Sequence, residues 1–313
     1  MTIDFSNDII LLTCANGKQC GHLIPFLLPK WKHLRLAVKS ESSRQTLEKK
    51  YGPTWQSDLK SNIDVVLADL AQPDDCYRIM EGVTAVYHVG PGFHPRETEI
   101  GYNIIDAALH HHISHFIYSS VLHPVLRKLM NHDCKRYVEE YLIESGLPYT
   151  ILQPSHFMDM FPLPKLLAEE NPTYTARWDP DVKFSYTSLH DLGEATAKIL
   201  EQREQHFYAT YQMVSTCQPM GYNEVCEIAS KVIGKEIHVE TMPFQKTMEG
   251  SAEGMLGLPP GEYARDGVQR MLLYYNYRGL VGSTNVMRWV LGREPLSWER
   301  WCEMIVKEVE GKE

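Results

Sequence analysis

Short apolar runs separated by amphipathic stretches organise the first half of the chain. The segments IILLT (9–13), LRLAV (34–38), DVVL (64–67), AVYHV (85–89), FIYS (116–119) and YTIL (149–152) carry apolar residues at consecutive positions. Such runs suit strands of a sheet that is covered on both faces. Helical patterns fill the intervals at 19–28, 43–50, 73–80, 97–110 and 132–145. This alternation predicts βαβ units and an α/β fold with a doubly wound parallel sheet of the Rossmann kind.

Beyond residue 157 the alternation stops. Pro162, Pro164, Pro172 and Pro180 mark a loop-rich excursion in which Tyr174 and Trp178 stand as aromatic lining. A strand at 184–187 with a helix at 191–200, then a strand at 211–215 returning to the sheet, resume the pattern. A helix at 222–233, a strand at 236–240 and further helices follow. The expected division is a dinucleotide-binding domain of residues 1–155 and 181–217, and a smaller α/β substrate-binding domain of 156–180 and 218–313. Residues 248–261 read as a lid. Met255, Leu256, Met271, Leu272, Leu273, Tyr274 and Tyr275 are apolar enough to wall a pocket, although core packing is the better reading for most of them.

Composition narrows the function. With 43% hydrophobic and 23% charged residues over 313 positions, the chain is globular, not low-complexity. No apolar run approaches the roughly 20 residues that span a bilayer, and the start is acidic where a signal peptide is basic. A net charge of -9 gives a nucleic acid no electrostatic help. The expectation is a cytoplasmic protein with a small-molecule substrate, no membrane or nucleic-acid partner, and room for a protein partner or a homodimer. Seven dispersed cysteines without paired spacing speak against a disulfide framework or structural zinc. The cluster His110, His111, His112 and His115 is not expected to hold a metal, because adjacent helical residues point about 100° apart.

The chemistry gathers at the first strand–turn–helix, TCANGKQCG (13–21). A first strand emptying into a small-residue turn and then a helix is where a dinucleotide pyrophosphate sits, on free helical N–H groups. The second strand ends at Lys39, with Ser40, Ser42 and Arg44 after it, which suits a 2′-phosphate and hence NADP(H). Cys14 and Cys20 stand where glycines are usual, so turn geometry and cofactor affinity are in question. Pro25 should kink the helix.

The turn resembles the TGATGKQGG segment of the NmrA-like proteins, atypical members of the short-chain dehydrogenase/reductase superfamily. The segments HFIYSSVLHP, CKRYVEEYLIESGLPYTILQP, DLGEA (191–195) and LGREPLSWERW are similar to the same family. The resemblance implies an NADP-binding Rossmann domain with a smaller domain closing a substrate cleft, and either reductase activity on quinones and aromatic compounds or redox sensing without turnover. It also implies cofactor contacts at Thr13, Ala15, Asn16, Gly17, Lys18, Gln19, Lys39, Asp69, Val89 and Gly90. Lys135 matches the active-site lysine, but Asn131 and Val121 fall at the tyrosine and serine positions. A replacement acid is therefore sought among histidines at the ligand edge of the sheet: His132 first, then His156, with His123, Phe157 and Asp159 toward the substrate. The leading expectation is an NADPH-dependent oxidoreductase reducing a hydrophobic or aromatic carbonyl or quinone-like compound. A dinucleotide-sensing regulator and non-redox catalysis, such as an isomerase or dehydratase, are the alternatives.

Overall fold

The computed structural model describes residues 3–57, 62–256 and 261–311, with the backbone alone for 52–57 and 251–256. Five strand–helix units and a sixth strand come first: β1 (Ile9–Leu12), α1 (Lys18–Leu27), β2 (His33–Val38), α2 (Glu41–Ser57), β3 (Asn62–Leu67), α3 (Pro73–Met80), β4 (Ala85–Val89), α4 (Glu97–His110), β5 (His115–Ser119), α5 (Met130–Glu144) and β6 (Tyr149–Pro154). Then come β7 (His156–Phe157), α6 (Leu163–Ala168), β8 (Thr173–Ala176), β9 (Tyr186–Thr187), α7 (Leu189–Gln202) and β10 (Ala209–Met213). The chain closes with α8 (Tyr222–Ile233), β11 (His238–Thr241), α9 (Phe244–Leu256), α10 (Glu262–Tyr275), α11 (Asn285–Leu291) and α12 (Trp298–Val309).

Seven strands form one sheet in the order β10-β6-β5-β4-β1-β2-β3, every pair parallel. The predicted doubly wound α/β fold is therefore present. Along β1, Ile10 and Leu12 face the core under α1 and α7, whereas Leu11 faces the core under α3 and α4. The period of two puts one apolar residue into each layer in turn, which is why the strands read as unbroken apolar runs. Chain order reverses between β1 and β4, so a crevice opens past their C-terminal ends.

Helix α1 runs through Pro25 without ending there, because Leu23, Ile24 and Leu27 anchor it in the core on either side. Its neighbour α7 lies against it at Gly193, where a Cβ would fall 2.7 Å from the His22 carbonyl oxygen.

A third apolar core sits beyond the C-terminal edge of the sheet. It joins Met158, Phe161 and Trp178 to Tyr222, Met271, Tyr275, Trp298 and Trp301. Two small parallel pairs frame it, β7 with β9 and β8 with β11. Strand β8 lies inside the excursion read as loop; its four residues are too few and too polar to announce a strand. Helix α11, expected with the substrate-binding segments, instead packs beneath the sheet, with Met287, Val290 and Leu291 in the core shared with α1 and α7. Asp191 and Glu194 on α7 bind Arg293 just after α11, which holds the C-terminal segment against α7.

Candidate functional site

The turn after β1 bends at Cys14, whose φ of 47° lies in the left-handed region. A Cβ there costs about 1–2 kcal/mol relative to glycine. The bend survives because Thr13 and Ala15 on either side donate backbone bonds to Tyr87 and Ala37 of the flanking strands. Gly17 then comes so close to Cys14 that an added Cβ would lie 3.1 Å from its carbonyl oxygen. Gly17 caps α1 with no side-chain acceptor, and no acidic residue occupies the first helical turn. The helix end thus keeps its N–H donors and positive dipole for an anion.

Beside this end lies a cavity walled by Ala37, Val38, Leu70 and Ile100, with Asn16, Lys39 and Asp69 at its polar side. Apolar walls, an open helix end and a lysine at the tip of β2 fit the adenosine and phosphate groups of a dinucleotide. Lys39 Nζ lies 3.2 Å from Asp69 Oδ2. Arg44 is engaged with Glu41 at 2.9 and 2.6 Å, on the exposed face of α2. Lys18 Nζ donates to the carbonyl of Asp159 at 3.1 Å, and Asn16 Nδ2 donates to Ser43 Oγ at 3.1 Å. Thr13 Oγ1 clamps β4 by accepting from Val89 N at 2.9 Å. Gln19 turns inward instead, its Oε1 accepting from the hydroxyls of Tyr87 at 2.9 Å and Ser119 at 2.7 Å. That side chain is committed to the sheet, not to the cavity.

Lys135 projects from α5 to within 2.6 Å of Glu97 Oε1, at the start of α4. Burial pulls its pKa down, but the carboxylate outweighs this and holds it well above the usual lysine range. Gly90, at the end of β4, borders the same pair: a Cβ on it would lie 3.3 Å from Glu97 Oε1. Asn131, at the position expected for a tyrosine, leaves its Oδ1 buried without a partner among the described residues.

The histidines part company. His132 is fully buried, Nδ1 donating to the His123 carbonyl at 3.1 Å. Desolvation pushes its pKa down to about 4, so the imidazole is neutral and its one N–H is spent on that carbonyl. This overturns its choice as acid: the α5 spacing places it beside Lys135 in sequence but turns it into the core. His123, at φ 57°, uses Nε2 to bond the Val281 carbonyl at 2.7 Å and so ties down the segment after α10. Asp159 caps α7 by accepting from Leu189 N at 2.9 Å, and Phe157 packs against the first core. Both side chains serve the junction of β7 with α7.

His156 lies elsewhere, on the wall of a second cavity of about 350 Å³ that also includes Tyr174, Trp178, Tyr222, Arg177 and Lys165. Its Nε2 is 2.8 Å from the Tyr222 hydroxyl. Rings of Trp178, Phe184 and Tyr186 surround it at centroid distances of 5.7, 5.4 and 5.6 Å. Desolvation lowers its pKa to about 4, so the imidazole is neutral.

Met271, Leu272 and Tyr275 are core, while Leu273 is 48% exposed. The side chains of Met255 and Leu256, and part of the supposed lid, lie outside the described residues. His115 bonds Thr150 inside the sheet at 2.8 Å, while His110 stacks edgewise on Tyr77, so the histidine cluster diverges. Cys14 is raised to about 11 by desolvation, with Glu97 adding to it, and Cys20 tucks under the turn with Sγ 3.5 Å from the Thr13 carbonyl. Glu97, Tyr222, Arg177 and Lys165 escaped sequence reading. Glu97 carries only the signal of a carboxylate opening a helix after β4, and Tyr222 that of an aromatic opening α8; Arg177 and Lys165 sit in the excursion without a periodic pattern.

Among the described residues no helix is long and apolar enough to cross a membrane. A protein of Dictyostelium discoideum bearing an NmrA-like family domain is 25% identical over 250 residues, which is 73% of this chain and 78% of that one. An NADPH-dependent quinone oxidoreductase of Escherichia coli, solved with NADPH, superposes with a TM-score of 0.74 at 16% identity, covering 95% of this chain and 99% of that one. NmrA, a negative transcriptional regulator solved with NAD, superposes with a TM-score of 0.73 at 17% identity and 98% coverage of both chains. The family model for NmrA-like proteins matches residues 6–257, and with the fold and the β1–α1 turn in place the chain belongs to the NmrA-like family.

Proposed function

We propose that the protein is an NADP(H)-dependent reductase acting on a small aromatic or quinone-like acceptor. The observation that carries this reading is the link between the β1–α1 helix end and the segment that walls the aromatic cavity. Lys18, on the helix end beside the nucleotide cavity, binds the Asp159 carbonyl, and the next residue, Met160, walls the aromatic cavity. The quinone oxidoreductase of the same fold, solved with NADPH, supports the choice of cofactor and acceptor.

A bound nicotinamide would supply a hydride. The chain's residues do the rest: the α1 N–H groups and Lys18 hold pyrophosphate, Lys39 turns from Asp69 toward a 2′-phosphate, and Lys135 orients a ribose. Lys135 keeps its proton because Glu97 faces it, so it positions and does not titrate. One hydrogen of the neutral His156–Tyr222 pair is spent on the bond between them, which leaves a single N–H or O–H for an oxygen gaining negative charge, and that oxygen takes its proton from solvent.

Calorimetry with NADPH, NADP and NADH, followed by NADPH oxidation with a panel of quinones and aromatic carbonyls, tests the reading. NADPH should bind tighter than NADH, and Lys135→Ala should lower turnover by about 100-fold, in keeping with loss of an orienting contact. Failure of all three dinucleotides to bind overturns it. Tight binding with no turnover favours instead a dinucleotide-sensing regulator, the reading favoured by Asn131 at the place of the proton-donating tyrosine. Turnover without any dinucleotide favours non-redox catalysis.

A further inference from the structure

The aromatic cavity carries charge of one sign. Arg177 and Lys165 both line it, and none of the lining residues is acidic. Arg177 is half-buried and has no hydrogen-bond or ion-pair partner among the described residues. Lys165 is 74% exposed at the rim, with Glu169 at 3.6 Å on the solvent side of α6. The most buried guanidinium groups elsewhere are engaged with carboxylates: Arg203 with Asp8, Arg136 with Asp133 and Arg293 with Asp191. An unpaired guanidinium beside a preformed cavity is a recognition element waiting for an anion.

The walls define the rest of the ligand. Trp178, Tyr174 and Tyr222 form an aromatic lining, with Tyr174 and Tyr222 ring centroids 4.7 Å apart and Trp178 and Tyr222 centroids 5.7 Å apart. Trp178 is 6% exposed and its indole N–H is buried without an acceptor. A volume of about 350 Å³ suits a molecule of one or two rings and is too small for a dinucleotide. Among the described lining residues the anion is met by one planar fork and hydroxyl groups, with no glycine turn of the kind that cradles a phosphate.

We propose that this cavity binds a planar aromatic carboxylate, its ring against Trp178, Tyr174 and Tyr222 and its carboxylate on Arg177, with Lys165 drawing it in. That such a compound is the hydride acceptor rests on the reductase reading; that it binds here does not. Its ring would lie against the His156–Tyr222 pair, the donor assigned to the reacting oxygen.

Calorimetric titration with 2-naphthoate, its neutral amide 2-naphthamide, and uridine monophosphate tests the site, with and without NADPH. Naphthoate should bind about tenfold tighter than the amide, the worth of one charge-assisted pair. In Arg177→Gln that ratio should fall to near one while amide affinity stays within twofold, which also shows that the variant is folded. Lys165→Gln should lower naphthoate affinity by a smaller factor that vanishes at high salt. Equal affinity for acid and amide, an unchanged ratio in Arg177→Gln, or a preference for uridine monophosphate overturns the proposal. Naphthoate binding in protein that fails to bind any dinucleotide would sustain the site and remove the reductase reading.

Discussion

The two cavities differ in how their charges are spent. Around the β1–α1 turn most cations near the nucleotide cavity already have a partner in the protein: Lys135 has Glu97, Lys39 has Asp69, and Lys18 has a backbone carbonyl. In the aromatic cavity Arg177 is unengaged and the histidine is neutral. A ligand entering the first region must exchange internal contacts for its own, which lowers affinity by the worth of what it displaces. One entering the second meets a prepared surface, where little reorganisation is required.

The largest way to break this contrast is to remove a partner from the first region. Glu97→Gln leaves the Lys135 ammonium buried at 13% exposure without a counter-charge, and should cost about 3–5 kcal/mol in chemical denaturation. A loss below about 1 kcal/mol would mean that the pair is not the internal constraint described.

A smaller effect per residue comes from acid. His88, His115 and His132 are buried neutral, with pKa values lowered by desolvation to about 3, about 3 and about 4. An unfolded histidine binds a proton near pH 6.5, so between there and the folded value the unfolded state holds the extra proton. Stability is therefore complete above about pH 7 and falls as pH drops toward 4. Each histidine removes about 2 kcal/mol by pH 5. Urea titrations at pH 7.5, 6 and 5 should show that fall. Flat stability would show these imidazoles to be solvated in the native state.

The smallest change sharpens the comparison most directly. Cys14→Gly removes the Cβ from a residue at φ 47°. It should stabilise the fold by about 1 kcal/mol and tighten NADPH binding by a few-fold, because the turn no longer resists its own shape. Naphthoate affinity should stay the same. A weaker NADPH affinity would mean that the thiol contacts the dinucleotide.

Much of the first region was legible beforehand. Apolar runs of four or five residues, each followed by a helical pattern, specify strands that alternate faces, and β1 shows it at Ile10, Leu11 and Leu12. The same reading pointed to the turn and to Lys39, which lie at strand ends, whereas Lys135 came only from the resemblance to the family's active-site lysine. It failed where side-chain direction decides. His132 and Lys135 are three residues apart on α5, yet one enters the core and the other meets Glu97. Gln19 and Asp159 likewise sit in the right segments but spend their polar atoms on Tyr87, Ser119 and Leu189.

Sequence by itself determined the layer order, the parallel sheet and the crevice at β1 and β4, because hydrophobic period and connection length are local properties of the chain. Only the tertiary structure decided which charges are paired and which remain free. Lys135 meets Glu97 across 38 positions, and Arg177 joins His156 and Tyr222 through β7, β8 and α8. Such meetings arise when distant segments pack to bury apolar surface, and no spacing within one segment records them.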